Sequence, residues 1–302
     1  MKVIAVVGPT ASGKTGLGVQ LAQALDGEVV NADSMQLYRG LDIGTAKATR
    51  EERQGVPHHV LDVWDVTEPA SVAEYQRLAR QAVAGIQARG RTAVLVGGSG
   101  LYVRAALDDM AFPGTDEAVR ARLEAELAVV GAPALHARLA ERDPAAAAAI
   151  LPTNGRRVVR ALEVGEITGR GFVAELPDPT YAVPAVQIGL RVPRPELDER
   201  IARRVDLMWE RGLVAEAREL CGRGLREGPT AGRALGYAQV LRVLDGEADE
   251  EWAREDTVRT TRRFARRQES WFRRDSRVRW LDAGAESSGA LLGHALAAVA
   301  DE

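Results

Sequence analysis

Residues 8–15 read GPTASGKT, a Gly-x-x-x-x-Gly-Lys-Thr spacing suited to phosphate chemistry. Glycines let backbone amides turn toward phosphate oxygens, and the first turn of a following helix adds partial positive charge. Lys14 supplies a full charge, and the Thr15 hydroxyl is placed to reach a Mg²⁺ carried on the phosphates. Gly8, Pro9, Thr10, Ala11, Ser12, Gly13, Lys14 and Thr15 thus form one expected phosphate-binding loop, with Mg²⁺ as its cofactor. By itself the spacing points to a nucleotide such as ATP. It fixes neither the molecule nor the reaction.

Two other short stretches carry groups for the same chemistry. NADSMQLYRGLDIGTAK, residues 31–47, offers Asp33 and Ser34, and VGGSG, residues 96–100, offers Ser99. A carboxylate such as Asp33 holds Mg²⁺ or takes a proton from a nucleophile; its plainer role is to cap a turn. Further on, RTTRRFARRQESWFRR, residues 259–274, is strongly basic. Arg259, Arg262, Arg263, Arg266 and Arg267 recur at three- and four-residue steps, which predicts a basic helix face able to meet nucleic-acid phosphates. Phe264, Trp271 and Phe272 read as packing residues.

The elements around these groups alternate. KVIAVVG ends in the loop and reads as a buried strand. Residues 14–25 place Leu17, Leu21 and Leu25 at helical spacing. GEVVNADS is a second strand and HHVLDVW a candidate third. Residues 71–88 open on Ser71-x-x-Glu74, a capping box, and stop at Gly90. TAVLVGGSG, AVQIGLRV and VRWLDA are further strands. Strand–helix alternation predicts a parallel sheet covered on both faces, with ligands beyond the strands' carboxyl ends, where Asp33, Ser34 and Ser99 would stand over the loop. Between them, the stretch rich in Ala and Arg shows only helical patterns, at 116–130, 132–141 and 156–168. The expected fold is therefore α/β, a P-loop NTPase-like parallel sheet core over 1–111 and 183–302. An all-helical domain is inserted at 112–182.

Composition narrows the function classes. The 302 residues are 46% hydrophobic and 27% charged, with a net charge of −3, which excludes a generic polyanion binder. One cysteine, Cys221, excludes an internal disulfide, and a zinc cluster is not expected. His58 and His59 are adjacent in a strand and point to opposite faces, so hydrogen-bonding roles are expected of them rather than a shared metal. The apolar N-terminal run is too short to span a bilayer, so a cytoplasmic protein without a membrane partner is expected. On these grounds alone a P-loop kinase acting on a small metabolite stays open.

Seven stretches occur in one order: GPTASGKT, NADSMQLYRGLDIGTAK, PHHVLD, VGGSGLY, GRRVVRALEV, GRALGYAQ and TRRFARRQESWFR. Together they closely resemble the bacterial tRNA dimethylallyltransferases, also called tRNA isopentenyltransferases, over roughly residues 3–282. The resemblance implies transfer of a dimethylallyl group from dimethylallyl diphosphate to the exocyclic N6 amine of an adenine. That adenine is the one 3′-adjacent to the anticodon in tRNAs reading U-first codons. It implies that the loop holds the diphosphate, that Asp33 is general base, and that Ser99, where many members carry threonine, bonds near the bridging oxygen. Arg233 and Lys14 would complete the catalytic set at the diphosphate. Asp33, Ser34, Met35, Gln36, Arg120, Arg156, Arg157, Val158, Val159, Arg160, Arg266, Arg267 and Gln268 would contact the tRNA anticodon stem-loop. A monomer is expected. The nearest competing reading is an adenylate isopentenyltransferase acting on free nucleotide.

Overall fold

The computed structural model describes residues 1–172, 176–284 and 288–301. Three residues of the expected insertion, 173–175, and four of the expected core, 285–287 and 302, lie outside that description. The chain divides into two compact units, Met1–Asp109 with Thr180–Glu302, and Met110–Pro179.

The first unit is built on six strands: β1 (Val3–Val7), β2 (Gly27–Asn31), β3 (His58–His59), β4 (Thr92–Gly97), β5 (Ala185–Arg191) and β6 (Val278–Asp282). They lie in the order β3-β2-β4-β1-β5-β6 and every pairing is parallel. All residues of β1 and β2 are buried, as continuous aliphatic runs require when both sheet faces are covered. The HHVLDVW stretch is strand for its first two residues only. Val60 and Asp62 turn to positive φ, 60° and 55°, which breaks the extended run.

Helices α1 (Lys14–Ala24), α2 (Val72–Ala88) and α3 (Gly100–Leu107) precede the second unit. After it come α7 (Arg194–Glu210), α8 (Leu213–Cys221), α9 (Tyr237–Leu244), α10 (Glu250–Phe272) and α11 (Ser288–Ala300). Ser71 caps α2 by accepting from the Glu74 amide at 3.2 Å. Ile4, Val6, Leu17, Leu21, Ile188, Leu190, Ile201 and Leu291 share one apolar core.

The second unit holds α4 (Glu117–Arg142), α5 (Pro144–Ala149) and α6 (Gly155–Thr168). The two helical patterns expected over 116–141 meet at Gly131, whose φ of 78° breaks the helix. Leu123, Leu135, Leu139, Val158, Val159 and Leu162 form its own core. The connecting segments pair with each other at the first unit's edge. The Asp109 amide donates to the Thr180 carbonyl at 2.8 Å, and Asp108 bridges Tyr181. This pairing sets the division at 109/110 and 179/180, slightly earlier than the composition change at 112 and 182. No helix among the described residues is long and apolar enough to cross a membrane.

Candidate active site

Strand register gathers the chemistry. Val7 lies opposite Gly97, and Asn31 lies opposite Val96, so the chain emerges from β1, β2 and β4 at one edge of the sheet. The segments that follow are residues 8–15, 33–34 and 98–99. The approach between them is close: a Cβ on Gly97 would come within 2.2 Å of the Ala32 backbone.

The glycine-rich loop takes left-handed backbone at Gly8 (φ 138°), Ala11 (φ 64°) and Gly13 (φ 93°), the last standing before α1. Lys14 Nζ donates to the Pro9 carbonyl at 2.6 Å, folding its ammonium over the loop. Ser12 is 1% exposed and its hydroxyl has no hydrogen-bond partner among the described residues, so a buried donor in the loop is available to a ligand. Thr15 is exposed on the first turn of α1. Hydroxyl and phosphate oxygens are the hard donors that Mg²⁺ takes, so the loop fits that ion.

Asp33 follows β2. Its amide donates to Asn31 Oδ1 and its Oδ1 accepts the Met35 amide, both at 2.9 Å, so it does cap a turn. Oδ2 makes no hydrogen bond among the described residues and remains open for chemistry. Ser99 follows β4 and faces the same segment. Its hydroxyl accepts from the Ser34 amide at 3.1 Å and donates to the Ser34 hydroxyl at 3.2 Å. The Tyr75 and Tyr102 rings pack tilted with centres 4.7 Å apart, and Tyr75 Oη donates to the Asn31 carbonyl at 2.9 Å. Burial first, and the Asp33 charge among the further causes, hold both phenols above their ordinary range and therefore neutral.

Among the described residues, the guanidinium hydrogen-bonded to the loop is that of Arg204 on α7. Its Nη1 donates to Thr10 Oγ1 at 3.3 Å. Burial, and next the Arg204 charge, bring the Lys14 amine down to about 7 against the opposing pull of Asp33. Burial likewise lowers Arg204, with Glu52 and Asp33 acting the other way. Lys14, Arg204 and Asp33 therefore share one electrostatic site, two basic groups beside one carboxylate. Arg203 beside it is exposed. Nothing in the spacing of RIARRVD separates the two arginines, and only packing does.

The chain matches the family model described as IPP transferase over residues 36–275. It belongs to the IPP transferase family. The tRNA dimethylallyltransferase of Streptomyces avermitilis is 69% identical over 284 residues, 94% of this chain and 91% of that protein. The full-length tRNA isopentenylpyrophosphate transferase of Bacillus halodurans superposes with a TM-score of 0.75 at 44% identity, covering 99% and 96% of the two chains. A eukaryotic dimethylallyltransferase acting on tRNA gives a TM-score of 0.83 at 27% identity, covering 98% of this chain and 77% of that one.

Several family-derived expectations meet different surroundings in this fold. Arg233 is exposed on the Ala231–Arg233 turn, while Arg204 is the guanidinium hydrogen-bonded to Thr10. Val158 and Val159 are 0% and 3% exposed in the second unit's core, so their side chains cannot meet RNA. Gln268 is also buried. It accepts the Thr10 amide at 2.8 Å and donates to the Gly98 carbonyl at 2.9 Å, fastening the loop instead of facing solvent. Met35 is partly exposed beside Asp33, and Gln36 donates to the Thr45 carbonyl at 3.1 Å.

The arginine stripe is narrower than its spacing. Arg259 is held by Asp256, and Arg262 lies against Asp198. Arg263, Arg266 and Arg267 remain exposed, Arg267 lying 5.7 Å from the Phe264 ring centre. Arg266 lines a cleft of about 440 Å³ with Arg191, Arg194 and Arg273. Phe272 is buried as expected, whereas Trp271 is 36% exposed while its ring covers Gly100. Arg156 and Arg157 are exposed on the first turn of α6. His58 and His59 bond to the Val56 carbonyl and to Glu28, and no metal-ligating cluster occurs among the described residues.

Proposed function

We propose that this chain transfers a dimethylallyl group from dimethylallyl diphosphate to the N6 amine of the adenine 3′-adjacent to the anticodon, in tRNAs reading U-first codons. The observation that carries the reading is the junction of Lys14 and Arg204 with the open oxygen of Asp33 at one sheet edge. The amine nitrogen forms a bond to the allylic carbon as the carbon–oxygen bond breaks. The diphosphate leaves with the electron pair, and the amine proton passes to Asp33 Oδ2. Lys14, Arg204, the loop amides and the unpartnered Ser12 hydroxyl meet the charge that develops on the leaving group. Thr15 would help hold Mg²⁺, which when bound supplies further charge neutralisation on the diphosphate. Ser99 orients the reacting end through its hydroxyl.

On the RNA side, an unpaired loop adenine is flipped at a cost of a few kcal/mol and enters this edge. Arg120, Arg156, Arg157, Arg160, Arg263, Arg266 and Arg267 offer phosphate contacts. The enzyme acts as a cytoplasmic monomer, and its loop holds the diphosphate of the prenyl donor.

The test supplies purified protein with dimethylallyl diphosphate, Mg²⁺ and unmodified tRNA whose anticodon reads a U-first codon. Prenylated adenine next to the anticodon is expected by mass spectrometry. Prenylation of AMP in preference to tRNA, or phosphate transfer from ATP to a small acceptor, overturns the reading.

A further inference from the structure

Glu163 is a carboxylate with 0% exposure inside the helical unit, and it is not among the residues assigned above. Its Oε2 accepts from Arg120 Nη2 at 2.6 Å and from Arg160 Nη1 at 2.8 Å, while Oε1 accepts the Asp116 amide at 3.2 Å. Two guanidiniums, one from α4 and one from α6, thus converge on a single oxygen. Burial works against the charged carboxyl, but the bonds from Arg120 and Arg160 outweigh it and hold the group below its ordinary range. Arg160 is further fixed by the carbonyls of Pro113 and Gly114, at 2.6 and 3.0 Å. Arg120 spends only Nη2, and its Nε and Nη1 make no hydrogen bond among the described residues. Both arginine side chains stay partly exposed, at 37% and 25%.

The anion therefore does not neutralise the cluster: two cations face one carboxylate, and both arginine side chains are held while still partly exposed. Long arginine side chains lose much rotamer freedom when they grip a ligand, and a buried carboxylate that fixes them beforehand removes part of that cost. We propose that Glu163 is a positioning residue that presets Arg120 and Arg160 to meet the phosphate backbone of the RNA substrate. The proposal rests on the reading of tRNA as substrate.

The sign of the expected effect separates positioning from simple charge. Removing a negative charge near a polyanion strengthens its binding if charge alone matters. In E163Q one amide oxygen must serve donors that two carboxylate oxygens served, and the new NH₂ faces a donor. Positioning is then lost and binding weakens.

The experiment measures binding of a labelled anticodon stem-loop by fluorescence anisotropy, together with prenylation kinetics. It compares the wild type, E163Q, the R120Q/R160Q double variant and the triple variant. Loss of charge-assisted contacts predicts a Kd and a KM for RNA raised about tenfold in E163Q, with kcat at saturating RNA within about twofold. The triple variant should bind no worse than the double. Unchanged or tighter binding by E163Q overturns the proposal, as does unchanged binding by R120Q/R160Q, or an additional loss in the triple variant. If the wild type neither binds nor prenylates the stem-loop, the tRNA reading itself falls and takes this proposal with it.

Discussion

Gln268 accepts the backbone N–H of Thr10 at 2.8 Å, although 258 residues separate them. The same side chain donates to the Gly98 carbonyl, so one amide on α10 joins the loop after β1 to the loop after β4. A Cβ on Gly98 would come within 2.3 Å of Gln268 Nε2, so a larger residue there would push this bridging amide aside.

Q268A should loosen both loops together. The orphaned Thr10 amide and Gly98 carbonyl cost about 1–3 kcal/mol in stability. Turnover is expected to fall by about tenfold or more through misplaced loop donors. Thermal melting and single-turnover prenylation check the two effects.

Lys14 gives a pH dependence with a defined sign. Its folded pKa, about 7, lies below the ordinary lysine value of 10.5. The unfolded chain therefore binds more protons between those values, and stability rises with pH across that window; the penalty is fully present below about 7. A bound diphosphate restores the charged form, so ligand binding at pH 8 should take up a proton. Calorimetry in two buffers of different ionisation heat measures that uptake. K14M should abolish it, and R204Q should reduce it, because the Arg204 charge is the second cause of the depression.

D33N keeps the turn, since an amide oxygen still accepts the Met35 amide, but removes the proton acceptor. Turnover is expected to fall by about 10²–10⁴ while stem-loop affinity changes little. Equal losses in both, measured side by side, contradict a general-base role.

R277A tests the joint where the chain leaves and re-enters the sheet unit. Arg277 donates to Asp108 at 2.7 Å and to Asp275 at 2.6 Å, and lies 4.1 Å from the Tyr181 ring centre. Asp108 is 0% exposed, and among the described residues its carboxylate keeps Arg104 as its ion-pair partner when Arg277 is removed. Stability should drop by about 3 kcal/mol, read from urea unfolding. D108N on the R277A background should recover part of it by removing the stranded charge.

Local signals in the sequence determined much of this protein. The Gly-x-x-x-x-Gly-Lys-Thr spacing, the cap at Ser71 and the aliphatic runs of β1, β4 and β5 depend on neighbours a few residues away, and they predicted the parallel sheet and the loop. The change of texture after Tyr102 announced the helical unit. Ordered motifs carried the family. Tertiary structure alone decided which polar groups meet. Arg204 reaches Thr10 across 194 residues while Arg203 faces solvent, and no period in the sequence distinguishes them. Gln268 is a tRNA contact by resemblance, yet α10 turns it inward; Arg259 and Arg262 read as part of a basic face, yet Asp256 and Asp198 hold them. Helical spacing fixes which residues share a face. Which way that face turns depends on burial and on partners supplied by remote segments.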